Sequence, residues 1–474
     1  MLSWSVLYIA SNWVIRIVMI PVVMRRRDPT ESVAWLLAIF FLPWAGLFLY
    51  LLVGENRLPL RRIAEHAEVL RQVDQISHVT AIGSHAVHPQ LDPEQQSLVV
   101  LAENMGGKPI LGGNRAEFLS ETPAVIDRLI ADIDAAQHHV HLLFYIYEDD
   151  DTGRRVADAL AQAAARGVNC RLLADAVGSA SLFGELSHRL TREGVAVRRA
   201  LPVSWLRRGL ARMDLRNHRK LAIIDGEVAY SGSQNIVNPT YGHRNLRWHD
   251  LMVRLTGPVV LALQSVFVED WYHDSHEILD SPDIFPDPQH TGDVAIQPLP
   301  SGPTYPTVNY QRLVVAALHE AKRQVIITSP YLVPDSAMLA ALQVAALRGV
   351  QIDLIVPERS DQLLTTLAGR GYYPDLMEMG VNLYHHRDGL LHAKTMTVDD
   401  TLALVGSGNF DIRSFYLNFE LNLLFYGSDV TAKLRYLQRN YLEHAEQLTI
   451  DQWSQRPFIG RFLEDAARLF SPLL

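Results

Sequence analysis

Two stretches of this chain repeat one spacing of reactive side chains. His218 and Lys220 are followed by four apolar residues, Asp225, six further residues, and then Gly232, Ser233 and Asn235. His392, Lys394, Asp399, Gly406, Ser407 and Asn409 repeat that register without a gap. Near neutral pH a histidine serves as a nucleophile or as a proton carrier, and two in one pocket can divide a displacement at phosphorus. One attacks and becomes a phosphohistidine, while the other protonates the leaving alkoxide and later deprotonates the incoming hydroxyl. Lys220 and Lys394 are suited to neutralise phosphoryl oxygens, with Asn235 and Asn409 as further donors. A Gly-Ser loop lets backbone N–H groups approach a phosphate, which adds Ser233 and Ser407 to the phosphate-binding candidates. This chemistry calls for no metal and no organic cofactor.

Each stretch is followed by a carboxylate. Asp250 lies 32 residues after His218 and Glu420 lies 28 residues after His392. A carboxylate on the far ring nitrogen fixes the tautomer and stabilises the imidazolium. Asp250 and Glu420 are therefore expected to orient the histidines, each read with the motif it follows. Asp225 and Asp399 complete the candidate catalytic set, with the expectation that they support loops more than they touch substrate.

The elements that must position these residues follow from the pattern. If each motif opens as a strand, residues i and i+2 share a face, so histidine and lysine point together. Asp225-Gly226 signals a hairpin turn, with Val228 to Tyr230 returning. The repeat extends beyond the motifs. A helix at 124–136, a strand at 139–147, a helix at 154–166 stopped by Gly167 and a strand at 168–174 are matched in the second half. There the counterparts are a helix at 311–321, a strand at 324–331, a helix at 336–348 stopped by Gly349 and a strand at 350–356. Alternating helices and strands predict two α/β repeats with helix-covered mixed sheets, over 116–290 and 291–474. Tyr145 and Tyr331 end equivalent strands, where they line either the cleft or the core. The first repeat carries about eight extra residues before its motif, coinciding with a basic, tryptophan-containing segment from Trp205 to Arg216. It reads as a contact for an anionic membrane surface or as a solvated loop.

The first 58 residues differ in kind. Val33 to Val53 is an uncharged apolar tract of 21 residues, long enough to cross a bilayer. Met1 to Met24 is a weaker candidate, interrupted by Arg16, which would snorkel or sit where two helices meet. No small-residue cleavage site favours a removable signal peptide. Arginines lie between the tracts and after the second, so the positive-inside rule pulls both ends of the second helix the same way. Together these predict a membrane helical hairpin at 1–58, then a connector at 59–115 with a helix from Arg61 to about Gln75. The net charge of −9 identifies no partner class, and the single cysteine, Cys170, excludes an intramolecular disulfide framework and a cysteine-based zinc site.

The paired H-x-K-x4-D-x6-G-S-x-N stretches resemble the phospholipase D superfamily across both halves of the chain, and within it the bacterial cardiolipin synthases. The finer likeness rests on Trp35, Leu36, Pro43 and the 46–54 segment, Ser301-Gly302-Pro303, and Ser329-Pro330-Tyr331 with Pro334. It also rests on Asn409-x-Asp411-x-Arg413-Ser414 with Asn418 and Glu420, and on Ser471-Pro472-Leu473-Leu474. The resemblance implies two facing repeats sharing one site, and transfer of a phosphatidyl group from one phosphatidylglycerol to another, giving cardiolipin and glycerol. It implies His218 as nucleophile and His392 as general acid/base. It also implies a multi-pass protein of the bacterial cytoplasmic membrane whose partners are membrane phospholipids, not nucleic acid, with self-association left open.

The rival readings are a membrane-bound phospholipase D hydrolase, a phosphatidyltransferase using CDP-diacylglycerol or another alcohol, a nuclease of the same superfamily, against which the membrane tract beside the basic Trp205 segment speaks, and a non-catalytic lipid-binding scaffold. The pairs His138-His139 and His385-His386 lack metal-ligand spacing and read as packing or surface residues. Glu148 to Asp151 read as a turn and helix N-terminal charges. The C-terminal Phe458, Ile459, Phe462, Leu463, Ala466 and Phe470 recur at helical spacing and are expected to pack on the body, with lipid contact as the alternative.

Overall fold

The computed structural model describes residues 4–24, 29–54, 68, 71, 82–202, 214–242, 246–305 and 307–471. The chain divides into a small unit that holds the N-terminal helices and a large α/β body. The basic residues 205–213 and nearly all of the helix expected over 61–75 lie outside the described residues.

In the N-terminal unit the expected ranking of the two apolar tracts is reversed. Trp4–Met24 is one continuous helix of 21 residues, and it is the described helix long and apolar enough to cross a membrane. The 33–53 tract is broken into Pro29–Phe41, Pro43–Leu49 and a π-helical turn, Tyr50–Gly54. The break has a local cause. Leu42 precedes a proline and takes a non-helical conformation (φ −129°, ψ 71°), as the Pro43 ring disfavours the helical region for its predecessor. The two pieces then press together: a Cβ on Gly46 would lie 2.8 Å from the Ile39 Cα. At 1.5 Å per residue the 13-residue piece reaches only about 20 Å, short of a hydrocarbon core of about 30 Å. Arg16 sits where two helices meet, donating from Nε to the Phe40 carbonyl at 3.0 Å, with its guanidinium over the Trp13 and Phe40 rings.

In the body each repeat builds a seven-stranded mixed sheet, and the two join edge to edge. In the first the order runs 111–119, 252–256, 228–232, 220–224, 139–144, 169–175, 196–200. In the second it runs 294–301, 418–426, 402–406, 395–398, 324–328, 351–357, 382–386, with 445–447 added at the far edge. Antiparallel pairing of Leu111–Leu119 with Val294–Ser301 joins them. In each repeat the central strand pairs parallel with the one after its helix and antiparallel with the motif strand. The helix that leads from each central strand to its parallel neighbour begins on an aspartate: the Asp150 side chain accepts from Gly153 N and that of Asp335 from Met338 N. Gly167 and Gly349 stop them with φ of 94° and 86°, where other residues would be strained.

One core holds the inner faces of both sheets around the helix Val259–Ser275, which is buried on all sides from Val259 to Trp271. The helix Pro93–Asn104, within the stretch read as a connector, contributes Leu98, Val99 and Ala102 to the core of the second repeat. The strand Leu111–Leu119 runs through the position read as the start of the first repeat. The C-terminal helix Phe458–Arg468 departs from expectation. Phe458, Ile459, Phe462 and Leu463 are 50–72 % exposed while Glu464 and Ala467 are buried. Its polar side does the docking, through a two-pronged Arg456–Glu464 pair at 2.7 Å and Arg468 to Asp375 at 2.6 Å.

Candidate active site

Neither motif histidine lies inside a strand; the motif strands begin at Lys220 and Thr395. Each histidine is instead placed by a two-residue segment that crosses to the other repeat. Arg216–Asn217 pairs parallel with Asn418–Phe419, and His218 N donates to the Phe419 carbonyl at 2.9 Å. Leu390–Leu391 pairs parallel with Trp248–His249, and His392 N donates to the His249 carbonyl at 2.8 Å. The lysines do not simply share the histidine's face. Lys220 and Lys394 are fully buried, and each Nζ donates to the carbonyl of its own motif histidine, at 2.6 and 2.5 Å.

This crossing exchanges the carboxylates. His218 Nδ1 lies 3.0 Å from both Glu420 oxygens, and His392 Nδ1 lies 2.6 Å from Asp250 Oδ1. Reading each carboxylate with the motif it follows is therefore corrected: each orients the histidine of the other repeat. With an ionised carboxylate as acceptor, Nδ1 carries the proton. Among the described residues neither Nε2 has a hydrogen-bond partner, so these nitrogens are left to meet substrate.

The Gly-Ser loops are also reassigned. Ser233 Oγ donates to Asp250 Oδ1 at 2.7 Å, and Ser407 Oγ to Glu420 Oε2 at 2.6 Å. Their backbone N–H groups are spent on the Leu251 and Leu421 carbonyls, at 2.9 and 3.0 Å. The glycines permit that contact: a Cβ on Gly232 would lie 2.3 Å from the Leu251 oxygen, and one on Gly406 2.6 Å from that of Leu421. The close approach inferred from Gly-Ser is real, but it is made by the segment that carries the carboxylate. Asn235 Oδ1 accepts from Ile146 N at 3.1 Å, and the Asn409 amide bonds the Asp411 carboxylate.

Asp225 and Asp399 stand at the far end of the motif strands, in turns where their φ angles are 54° and 49°. Asp225 accepts from the backbone N–H groups of Gln137, His138 and His139 at 2.7–2.8 Å. Asp399 does the same for Lys322, Arg323 and Gln324 at 2.7–3.0 Å. They fasten the start of each central strand and stand apart from the histidines.

A family model described as "Cardiolipin synthase, PLD-like domain" matches residues 129–271 and 314–439, and one described as "Phospholipase_D-nuclease N-terminal" matches residues 13–55. Cardiolipin synthase A of Serratia proteamaculans (strain 568) is 36 % identical, covering 100 % of this chain and 99 % of its own length. That of Proteus mirabilis (strain HI4320) is 34 % identical over 96 % of this chain and 95 % of its own. The chain belongs to the cardiolipin synthase family of phospholipase D-like proteins. The fold is also that of the crystal structure of phosphatidylserine synthase from Haemophilus influenzae Rd KW20, with a TM-score of 0.61 at 14 % identity, covering 80 % of this chain and 100 % of that one.

In this cardiolipin synthase-family site the charges of both repeats act on one another. Burial holds His218 down to about 4, helped by the Lys220 and Lys394 charges and opposed by Glu420. Burial and Lys394 also lower His392, opposed by Asp250. Burial brings Lys394 down to about 7 and Lys220 well below its ordinary value. Burial alone would raise Asp250, yet His392 and Lys394 hold it down at about 2; Glu420 is lowered by His218 in the same way. The resting site thus pairs a neutral His218 with an ionised Glu420, and a bound phosphodiester would add the negative charge that favours protonation of His392.

Several residues here were not singled out as site candidates from the sequence. Tyr145, which was, lies 4.8 Å from the His218 ring, and Lys220 Nζ lies 5.2 Å from the Tyr145 centroid. Tyr331, read in the same way as Tyr145, lies 6.5 Å from the His392 ring, and Trp248, which was not singled out, lies 4.5 Å from it. Arg219 is buried between the repeats, bonding Asp270, the Glu420 carbonyl and the Ser301 carbonyl. Its place inside H-x-K was its only signal.

Proposed function

We propose that this chain makes cardiolipin from two phosphatidylglycerol molecules. His218 Nε2 attacks the phosphorus of the first, forming an N–P bond as the P–O bond to glycerol breaks. His392, in its protonated form, gives its proton to that glycerol oxygen. A hydroxyl of the second phosphatidylglycerol then loses its proton to His392 and forms the new P–O bond as the N–P bond breaks. The observation that carries this reading is the pair of buried imidazoles, each held at Nδ1 by the other repeat's carboxylate.

The division of roles is supported by the unequal pairs. An imidazole held near 4 is a ready neutral nucleophile at neutral pH, whereas the short charge-assisted bond from His392 to Asp250 favours an imidazolium. Lys220 and Lys394 would meet the phosphoryl charge, and Glu420 and Asp250 would keep both rings in register. The reaction places the protein at the bacterial cytoplasmic membrane. Trp4–Met24 is suited to cross it, and a second crossing would require the broken 33–53 tract to act as a whole.

The test is incubation of the purified full chain with phosphatidylglycerol alone in mixed micelles. Cardiolipin with an equal amount of glycerol is the expected outcome. Phosphatidic acid as the sole lipid product would replace this reading with a hydrolase.

A further inference from the structure

Equivalent backbone bonds put the two histidines in register, and that register exposes one difference between their surroundings. His218 N bonds the residue just before Glu420, and His392 N bonds the residue just before Asp250. One position further back, Asn418 corresponds to Trp248. Asn418 is polar and spends its amide on Glu420, with Nδ2 3.2 Å from Oε1. Trp248 is an indole set 4.5 Å from the His392 ring at 54°.

Trp248 does not stand alone. It is buried with Leu246 and Leu390, and Tyr241 packs on it with ring centroids 5.8 Å apart. Two backbone bonds clamp the group: Trp248 N donates to the Pro239 carbonyl and Leu390 N to the Arg247 carbonyl, both at 2.7 Å. His392 is therefore covered by an apolar cap, whereas the counterpart of the indole beside His218 is a hydrogen-bonding amide.

Resting on the transferase reading above, we propose that Trp248, with Tyr241, Leu246 and Leu390, is the element that selects a lipid alcohol over water at the covalent intermediate. In the second half of the reaction the acceptor O–H must give its proton to His392 while its oxygen forms the bond to phosphorus and the N–P bond breaks. Water balances the same step and yields phosphatidic acid. Water is also far more concentrated than any lipid hydroxyl, so the place beside His392 must disfavour it. The ring face of an indole and two leucines present carbon there, their one side-chain polar atom being the indole Nε1–H, which is buried without a partner among the described residues, and such a surface suits the glycerol and acyl-ester region of a lipid better than water. Trp248 is in this account a specificity-determining residue, not a proton carrier.

The experiment compares full-length Trp248→Ala, Trp248→Phe and Tyr241→Ala proteins with the unaltered one in mixed micelles containing phosphatidylglycerol, measuring cardiolipin and phosphatidic acid together. The ratio of the two products is internal to each sample, so it does not depend on the fraction folded. The ratio should fall about ten-fold or more in Trp248→Ala, a few-fold in Tyr241→Ala, and stay within about two-fold in Trp248→Phe. An unchanged ratio in Trp248→Ala, whatever happens to total turnover, overturns the proposal. Should that variant not fold, an unchanged ratio in both Tyr241→Ala and Leu246→Ser overturns it equally. The two readings fail separately: phosphatidic acid alone from the unaltered protein refutes the transferase, while cardiolipin from every protein at one constant ratio refutes only the cap.

Discussion

His218 and His392 are held by the same devices and surrounded by different ones. Each donates its backbone N–H to the carbonyl of the residue before a carboxylate, makes an Nδ1 bond to that carboxylate, and has a motif serine bonded to that same carboxylate. Beyond that frame the repeats part. The strand Asn169–Asp175 ends on a buried carboxylate that accepts from the N–H of Asn217, next to His218, while its counterpart Gln351–Pro357 ends on proline. The comparison separates the frame both imidazoles share from what, on the proposed mechanism, would give the two copies opposite tasks. The shared frame is a matter of positioning, and the asymmetry is electrostatic on one side and apolar on the other.

The largest effect should come from the frame's occupants. His218→Ala and His392→Ala should each lower cardiolipin formation by about 10³-fold or more, measured as labelled product per folded protein. A variant of either that keeps its rate would break the idea of two divided roles.

Next comes the crossing. Glu420→Gln and Asp250→Asn should each cost roughly 10²-fold or more, and the ring they disturb should be the distant one. The downfield Nδ1–H resonance of His218 should vanish in Glu420→Gln and persist in Asp250→Asn, with the converse for His392. Loss of the His218 signal in Asp250→Asn would restore the within-repeat pairing that sequence order suggests.

A smaller effect, on stability, is expected at the motif aspartates. Asp225→Ala and Asp399→Ala each release three backbone N–H groups, which should cost about 1–3 kcal/mol in denaturant unfolding, with kcat moved far less. A collapse of kcat at unchanged stability would return these residues to the catalytic group.

A last effect, spread over several pH units, is a gradual dependence of stability on pH. His139, His218 and His385 are held to about 4 against an ordinary 6.5, chiefly by burial. Between those values the unfolded chain binds protons that the folded one does not, so stability should fall as pH drops from 6.5 toward 4. Each such histidine adds a slope of up to about 1.4 kcal/mol per pH unit. Flat stability across that window would show that these imidazoles charge freely in the folded state.

The repeat, the α/β class and the histidines and carboxylates that meet in the site were legible in the sequence because they rest on spacing along the chain. Gly167 and Gly349 stop helices where the pattern placed their ends, and Asp225-Gly226 turns a hairpin with both φ angles positive. The crossed pairing was not legible. It depends on two-residue strands, Arg216–Asn217 and Leu390–Leu391, too short to carry a periodicity of their own. The serines were misread for a related reason: a Gly-Ser pair announces a close approach but not what approaches. Trp248 went unnoticed because an indole near a carboxylate looks like core until the other repeat's histidine is set against it. In the 33–53 tract, composition indicated a span, and one pre-proline residue, Leu42, divided it.

The central claim is that one site built by two repeats assigns the covalent step to His218. Incubating His392→Ala protein with phosphatidylglycerol labelled in the phosphatidyl group, then quenching and mapping the adduct, tests it directly. Label on His218 is the predicted result. The matching experiment with His218→Ala should yield no adduct, and label recovered on His392 there would contradict the account.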